Sequence, residues 1–237
     1  MCYDYIRILG DYKSELKNFM KNIPRIFIGN EIRSGVTVPA SSDTAHYLSR
    51  VMRRHDFLAF GGGVEYNATL SDDGKTITVG EKTSHIDPSN NITLIFAPIK
   101  RTDDLLNMAT QMGVRAFQPV VTERTVANHI NWARMQKIVI EAAEQSNRNS
   151  VPEILPIKKF SDIDLSGVVF ADERAAYGAD LPTRVHDKKV VFIGPEGGFS
   201  DTEFAAFDAA GAVGISLGKT ILRAELAAAI AISRVAL

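Results

Sequence analysis

From Arg25 to about Asn91, the hydrophobic and polar positions follow the pattern of short β-strands separated by tight turns. Apolar runs on both sides of Gly61-Gly62-Gly63 predict a hairpin, and the next turn leads into another strand. A short helix capped by Ser41 or Ser42 interrupts the strands. Its apolar face consists of Ala45, Leu48 and Met52, with Val51, and the predicted strands are Phe57–Phe60, Val64–Leu70 and Thr76–Val79. The region therefore predicts a small β-barrel domain with one helix.

From Asn91 onward, apolar runs of strand length alternate with helical patterns. Such alternation predicts an α/β domain with a mostly parallel sheet and helices on both faces. Ser200 and Glu203 have the spacing of a capping box, which predicts a helix that ends at Gly211. The other predicted helices span about 102–112, 132–147 and 224–235, and the predicted strands are Ile92–Ala97, Ala116–Val121, Val168–Ala171, Val190–Ile193 and Val213–Leu217. The turn-rich segment 87–91 marks the boundary, which gives domains 24–90 and 91–237.

Residues 1–23 stand apart from both domains. Their apolar positions have a loose helical spacing, with charged residues between them. The open interpretations are an interaction helix, a frayed extension, or an upstream start codon with Met20 as the natural start.

Composition restricts the possible functions. The chain has 237 residues, 45% of them hydrophobic, and a formal net charge of −1. This near-neutral balance gives no overall attraction to nucleic acid, so RNA binding requires a local patch. The single cysteine, Cys2, excludes a disulfide framework and a cysteine-based zinc site, and it fits a reducing cytosol. With no signal-peptide pattern, no membrane-length apolar run and no metal-ligand spacing among the histidines, we expect a cytoplasmic protein without a metal.

Two glycine-bearing loops are the most informative motifs. Gly194–Ser200 follows one predicted strand, and Leu217–Glu225 follows another. Turns after the strands of an α/β sheet are where such proteins bind ligands. Gly197 and Gly198 would allow positive φ angles and close approach of the backbone to an adenine or ribose, with Glu196 as an acceptor for a ligand hydroxyl. Neither loop matches the dinucleotide or the P-loop fingerprint, and a tight turn before a capped helix is the structural alternative.

The second loop carries the more suggestive charges. Glu225 at the start of a predicted helix is explained by the helix dipole, which favours an acid there. Arg223 is at the same end, where a cation is unfavourable. This placement favours a functional role for Arg223 in binding an anion or orienting a substrate.

Together these residues resemble a known family. The segments 193–200 and 217–225 are similar to the signatures of the 16S ribosomal RNA uridine-N3 methyltransferases, which belong to the SPOUT superfamily of trefoil-knotted enzymes that use S-adenosylmethionine. Glu141–Arg148 and Thr122–Arg124 resemble further family segments. Arg25–Phe27 and His46 to Arg53 resemble the family's PUA-like RNA-binding domain, and the similarity covers about residues 24–237.

The resemblance implies a fold, a cofactor, partners and site residues. We expect a PUA-like domain followed by a knotted SPOUT domain that acts as a homodimer through its C-terminal part, on one uridine of 16S rRNA in the small ribosomal subunit. Arg223 is the predicted catalytic cation, and Glu225 is either a base or only a helix cap. The predicted S-adenosylmethionine contacts are Gly194, Pro195, Glu196, Gly197, Gly198, Leu217, Gly218, Ile221 and Leu222. The predicted RNA contacts are Arg25, Arg50, Arg53, Arg54, Arg124 and Arg148.

Some of these residues have simpler explanations, and some positions depart from the family. Arg50, Arg53 and Arg54, the Arg50 cluster, also suit the C-terminal end of a helix dipole. Arg148 can pair with Glu144 one turn away. Leu226 stands where the family carries a hydroxyl, and Met108 and Gln111 replace a lysine and a glutamate. Two alternatives therefore remain: methylation of another RNA atom, such as a ribose 2′-hydroxyl, and a non-catalytic binder in ribosome assembly.

Overall fold

A computed structural model describes residues 23–126 and 130–236. The chain divides into two compact units, 1–86 and 87–237. The second unit begins before residue 91 because Asp87 is bonded into it: Asp87 Oδ1 accepts hydrogen bonds from the backbone N–H groups of Asn149 (2.7 Å) and Ser150 (3.2 Å). The hypotheses about residues 1–22, with Cys2 and Met20, lie outside the described residues.

The first unit is built on a five-stranded sheet. Its strands are β1 (Arg25–Phe27), β2 (Thr37–Pro39), β3 (Asp56–Gly61), β4 (Val64–Leu70) and β5 (Thr76–Lys82). The order is β1-β3-β4-β5-β2, with β1 parallel to β3 and the other pairs antiparallel. The hairpin around Gly62 and Gly63 forms as predicted. No ladder between β1 and β2 closes this sheet within the described residues, so the closed PUA-like barrel stays a prediction.

The helix of this unit is only partly α-helical. Helix α1 (Ser42–His46) begins as predicted, since Ser41 Oγ accepts a hydrogen bond from the backbone N–H of Thr44. It continues as a π-helical segment, Tyr47–Met52, and ends at Arg53, which adopts a left-handed φ of 52°. The change of pitch alters the predicted apolar face: Leu48 is fully buried, whereas Val51 is 60% exposed.

The second unit contains a seven-stranded sheet in which every observed pair is parallel. The order is β12-β10-β11-β6-β7-β8, and β9 also pairs with β7. The strands are β6 (Thr93–Phe96), β7 (Ala116–Val121), β8 (Glu153–Ile154), β9 (Lys158–Lys159), β10 (Val168–Ala171), β11 (Val190–Ile193) and β12 (Val213–Ile215). The helices are α2 (Thr102–Gln111), α3 (Trp132–Gln145), α4 (Asp201–Ala209) and α5 (Ala224–Ala236), with short 3₁₀ turns at Phe160–Asp162 and Glu173–Tyr177. The predicted parallel α/β architecture is confirmed.

The central strands are buried on both faces, which explains their continuous apolar sequences. In β11, Val191 and Ile193 belong to the core that α2, α3 and α5 cover, whereas Phe192 belongs to the core beneath α4. This alternation places helices on both faces of the sheet. No helix in the described parts of the chain is long and apolar enough to cross a membrane.

Candidate active site

A cavity of the second unit lies at one edge of its sheet. Strands β12, β10, β11 and β6 are neighbours and run parallel, so their carboxyl ends share that edge. The segments that follow these four strands line a cavity of about 410 Å³. Both glycine loops contribute to it, as the sequence predicted. Its position and size are those of a small-molecule site in an α/β protein.

Phe199 anchors the first glycine loop in the core. Its ring packs edge to face against Phe192 and Phe207, with ring centroids 5.2 and 4.9 Å apart. The loop folds back so tightly that a Cβ on Gly194 would lie 3.1 Å from the Phe199 ring. A side chain at position 194 would therefore require the Phe199 ring to shift by a few tenths of an ångström.

Gly198 brings the loop backbone against an acidic side chain. It adopts a φ of +70°, and a Cβ there would overlap the carboxylate of Glu173. Gly197 keeps an ordinary φ, so the predicted positive φ applies to Gly198 alone. Gly197 instead packs against Arg124, whose Cβ would lie 3.4 Å from a Cβ at position 197.

Arg124 holds the first loop by its carbonyl groups. Its Nη1 donates hydrogen bonds to the carbonyl oxygens of Gly197 (3.0 Å) and Phe199 (3.1 Å). Next to it, the backbone N–H of Glu123 donates to the Glu203 carboxylate, which also completes the predicted capping box with Ser200. The segment around Arg124, a predicted RNA contact, therefore supports the pocket wall.

A second arginine holds the second loop in a similar way. Arg234, near the end of α5, donates from Nη1 to the carbonyl oxygen of Ser216 and from Nη2 to that of Leu217 (3.4 Å). Gly218 follows with a φ of +134° and open space where a Cβ would stand. Each pocket loop is thus fixed by one guanidinium that binds two carbonyl oxygens.

Glu196 connects the first loop to another strand end. Its Oε1 accepts a hydrogen bond from the backbone N–H of Lys100 (2.9 Å), which follows β6. The sequence predicted Glu196 as an acceptor for a ligand hydroxyl. The structure gives one of its oxygens a bond within the protein.

Two consecutive acids follow β10 at the cavity. Asp172 is buried and accepts hydrogen bonds from Arg174 at 2.7 and 3.0 Å. These bonds raise the pKa of the Arg174 guanidinium. Burial raises the pKa of Glu173, an effect that the charge of Arg124 opposes and that of Asp172 reinforces. Neither acid was predicted as a site residue from the sequence, although acids directly after a buried parallel strand are a signal for this edge.

The predicted catalytic residues also line the cavity. Arg223 precedes α5 and is exposed, with no ion-pair or side-chain hydrogen-bond partner among the described residues. Glu225 is buried in the first turn of α5, with Oε1 3.9 Å from Nε of Arg101. The predicted cofactor contacts Leu217, Ile221 and Leu222 complete the apolar side of this wall.

The structure contradicts the prediction that Arg148 contacts RNA. Its side chain is 1% exposed, and Nη1 donates to the carbonyl oxygens of Thr110 (3.0 Å) and Val114 (2.7 Å). The prediction extended α3 to residue 147, but the helix ends at Gln145 and Asn147 adopts a left-handed φ of 63°. That turn directs Arg148 inward, and burial lowers its pKa.

The predicted RNA contacts of the first unit differ in exposure. Arg25 is largely buried, with its Nε 2.8 Å from the Glu65 carboxylate and its guanidinium over the Phe60 ring. These contacts hold Arg25 against its own unit, and its RNA contact stays a prediction. Arg50 and Arg53 are exposed, and Arg54 is half-buried. RNA binding by the Arg50, Arg53 and Arg54 cluster stays a prediction.

Comparison with known proteins agrees with this geometry. A family model described as an RNA methyltransferase domain matches residues 87–236. The chain belongs to this family. It is 30% identical to the ribosomal RNA small subunit methyltransferase E of Rickettsia conorii, with 90% of this chain and 95% of the relative covered. The corresponding Synechocystis protein is also 30% identical, with 89% and 76% covered.

A solved structure shows that the similarity to this family includes the fold. The ribosomal RNA small subunit methyltransferase E of Neisseria gonorrhoeae, bound to S-adenosyl methionine, matches with a TM-score of 0.74 and 30% identity. The match covers 89% of this chain and 95% of the other. The similarity therefore includes both units of this member of the RNA methyltransferase family.

Proposed function

We propose that this protein transfers the methyl group of S-adenosylmethionine to N3 of one uridine of 16S rRNA in the small ribosomal subunit. The observation that carries the proposal is the cavity that the two glycine loops line at the carboxyl ends of four parallel strands, in a chain of the RNA methyltransferase family. Two relatives that match most of the chain are named as small-subunit ribosomal RNA methyltransferases.

The residues of the cavity fit S-adenosylmethionine. The backbone at Gly198 and Gly218 has no side chain to obstruct a ligand, and Leu217, Ile221 and Leu222 offer an apolar surface for an adenine ring. Four carboxylates line the cavity against three cationic side chains, which suits a ligand that carries a positive charge. When bound, the cofactor supplies an activated methyl group on a sulfonium.

The protein then has to position the uracil and remove its N3 proton. N3 is engaged in base pairing in a duplex, so the uridine must be unpaired or turned out of its stack. Loss of the N3 proton to solvent water leaves an anion on the uracil ring, and N3 takes the methyl group in place of that proton. Arg223, exposed and without an ion-pair partner in the described chain, is the group we assign to stabilise that anion.

Glu225 has a weaker claim to a catalytic role. It is buried in the first turn of α5 and lies close to Arg101, so its negative charge interacts with a cation of the protein. A carboxylate there also offsets the helix dipole. We therefore assign Glu225 to the stability of the loop–helix junction that carries Arg223.

The proposal includes a homodimer formed through the second unit. Helices α2 and α5 pack together and expose large apolar side chains, with Met108 41% and Leu226 46% exposed. Apolar side chains exposed on neighbouring helices favour an association surface. The knot and the PUA-like character of the first unit, with its Arg50 cluster as the RNA contact, belong to the same proposal and rest on the family resemblance.

The decisive experiment examines ribosomal RNA from a strain that lacks this protein. We expect mass spectrometry of the digested 16S rRNA to show one missing N3-methyluridine, which the purified protein and S-adenosylmethionine restore on isolated small subunits. A missing 2′-O-methyl nucleoside would instead favour the alternative methylation site. An unchanged nucleoside profile, with no calorimetric binding of S-adenosylmethionine, would favour the non-catalytic binder.

A further inference from the structure

Three of the four carboxylates of the cavity already have partners. Asp172 is bound by Arg174, and Glu196 accepts the backbone N–H of Lys100. Glu225 lies near the Arg101 guanidinium, with 3.9 Å between the nearest nitrogen and oxygen. Arginine cations of the protein lie next to Asp172 and Glu225, and Glu196 is exposed with one oxygen hydrogen-bonded.

Glu173 is the exception. Its carboxylate lines the cavity and has no hydrogen-bond or ion-pair partner among residues 23–126 and 130–236. It lies against Gly198, the loop glycine that adopts the positive φ, and so faces the centre of the first loop. The residue is half-buried, and partial burial strengthens the attraction between a carboxylate and a cation.

The surroundings of Glu173 leave its negative charge available to a ligand. The nearby charges that act on it are Arg124 and Asp172, which have opposite signs. Arg124 donates hydrogen bonds to loop carbonyl oxygens, and Asp172 is neutralised by Arg174. A cationic ligand would therefore restore the solvation that Glu173 loses through burial.

We infer that Glu173 is the anionic contact for the sulfonium charge of S-adenosylmethionine, and that it gives this protein its preference for the cofactor over the product. The inference rests on the proposed function. S-adenosylhomocysteine lacks the methyl group and the sulfonium charge but keeps the adenosine and amino-acid parts. A carboxylate that contacts the sulfonium therefore distinguishes the two ligands, and methyl transfer itself weakens the interaction that holds the cofactor.

The test is calorimetric titration of wild-type protein and Glu173→Gln with each ligand separately. Glutamine keeps the shape of the side chain and removes its charge. We expect Glu173→Gln to lower the affinity for S-adenosylmethionine about ten-fold and to leave that for S-adenosylhomocysteine within about two-fold, as for a partly screened charge pair. Glu196→Gln is the matched control, because it removes one charge from the same cavity and keeps an acceptor for the Lys100 N–H. In Glu196→Gln, the ratio of the affinity for S-adenosylmethionine to that for S-adenosylhomocysteine should equal the wild-type ratio.

A second measurement uses only the wild-type protein. The affinity ratio of S-adenosylmethionine to S-adenosylhomocysteine should fall as pH is lowered through the titration of Glu173, beside which Arg124 and Asp172 are the charged groups. An unchanged ratio in Glu173→Gln, or an equal loss of both affinities, would overturn the inference and leave the proposed function standing. Wild-type protein that binds neither ligand would overturn the proposed function itself.

Discussion

The two pocket loops are built on the same plan but are held to different degrees. The first loop is fixed by the Phe199 ring, by two hydrogen bonds from Arg124 and by the capping box of α4. In the second loop, the carbonyl oxygens of Ser216 and Leu217 are held by Arg234.

The two loops also differ in the exposure of their side chains. Ile221 is 59% exposed, and Lys219 and Arg223 are also exposed, whereas Phe199 and Ser200 of the first loop are buried. A rigid backbone is suited to binding a cofactor, and an exposed cation is suited to a substrate. Under the proposed function, the first loop is a preformed wall for the cofactor and the second loop supplies the side-chain chemistry.

The largest expected effect is on the reaction rate and comes from the second loop. We expect Arg223→Ala to lower the methylation rate about 100-fold at saturating cofactor and small subunit, as for the loss of one charge-stabilising donor. The affinity for S-adenosylmethionine should change less than about two-fold in calorimetry. Lys219→Ala removes a cation from the same loop and should leave the rate unaltered. An unreduced rate in Arg223→Ala would show that Arg223 has no part in the chemistry.

A substitution in the first loop should instead lower the affinity for the cofactor. Gly198→Ala forces a side chain into a φ of +70° and against the Glu173 carboxylate. We expect the Glu173 carboxylate to turn aside, with an affinity loss of at least about ten-fold and a stability loss of about 1 kcal/mol, measured by calorimetry and by urea unfolding.

Gly211→Ala is the matched control for Gly198→Ala. Gly211 has a similar φ of +67°, but no atom lies within 4 Å of a Cβ there. It should lose about 1 kcal/mol of stability and keep full affinity for the cofactor. Equal affinities in the two variants would mean that close contact at Gly198 is irrelevant to binding.

Substitution of Arg124 and of Arg234 tests whether the two loops are held to different degrees. We expect Arg234→Met to reduce the affinity for S-adenosylmethionine about ten-fold and Arg124→Met only about three-fold, since the first loop keeps its aromatic anchor and its capping box. Calorimetry on both variants gives the comparison. A larger loss in Arg124→Met would reverse our ranking of the loops.

Local signals predicted most of the elements that build the site. Strand β11 spans the predicted residues, and Ser200 and Glu203 cap α4 because both partners lie within one helical turn. The unfavourable position of Arg223 before a helix was also visible in the sequence. These features depend on neighbours in the chain, which a sequence pattern contains.

The features that were missed depend on distant partners. Arg124 contacts a carbonyl group 73 residues away, and Arg148 contacts one 38 residues away. No periodicity encodes such pairs, and the left-handed turn at Asn147 follows a helix that ends two residues earlier than predicted. The role we infer for Glu173 depends on Gly198, against which its carboxylate lies in the fold. Gly198 follows the neighbouring strand β11.

The smallest expected effect concerns stability where the first loop meets Glu173. Burial raises the pKa of Glu173 in the folded protein, so folding favours the protonated acid. Ionised Glu173 therefore lowers the free energy of unfolding progressively as pH rises from its ordinary titration range through its raised pKa.

Glu173→Gln removes this penalty. We expect thermal melting to show equal stability of variant and wild type at acidic pH, and a melting temperature about 1 °C higher for the variant at neutral pH, after allowance for solvent screening. Glu196→Gln should follow the wild-type curve. The same substitution would then raise stability while it lowers cofactor affinity, which is expected where a binding site retains an unfavourably placed charge. A lower melting temperature for Glu173→Gln at neutral pH would instead show that this carboxylate stabilises the first loop.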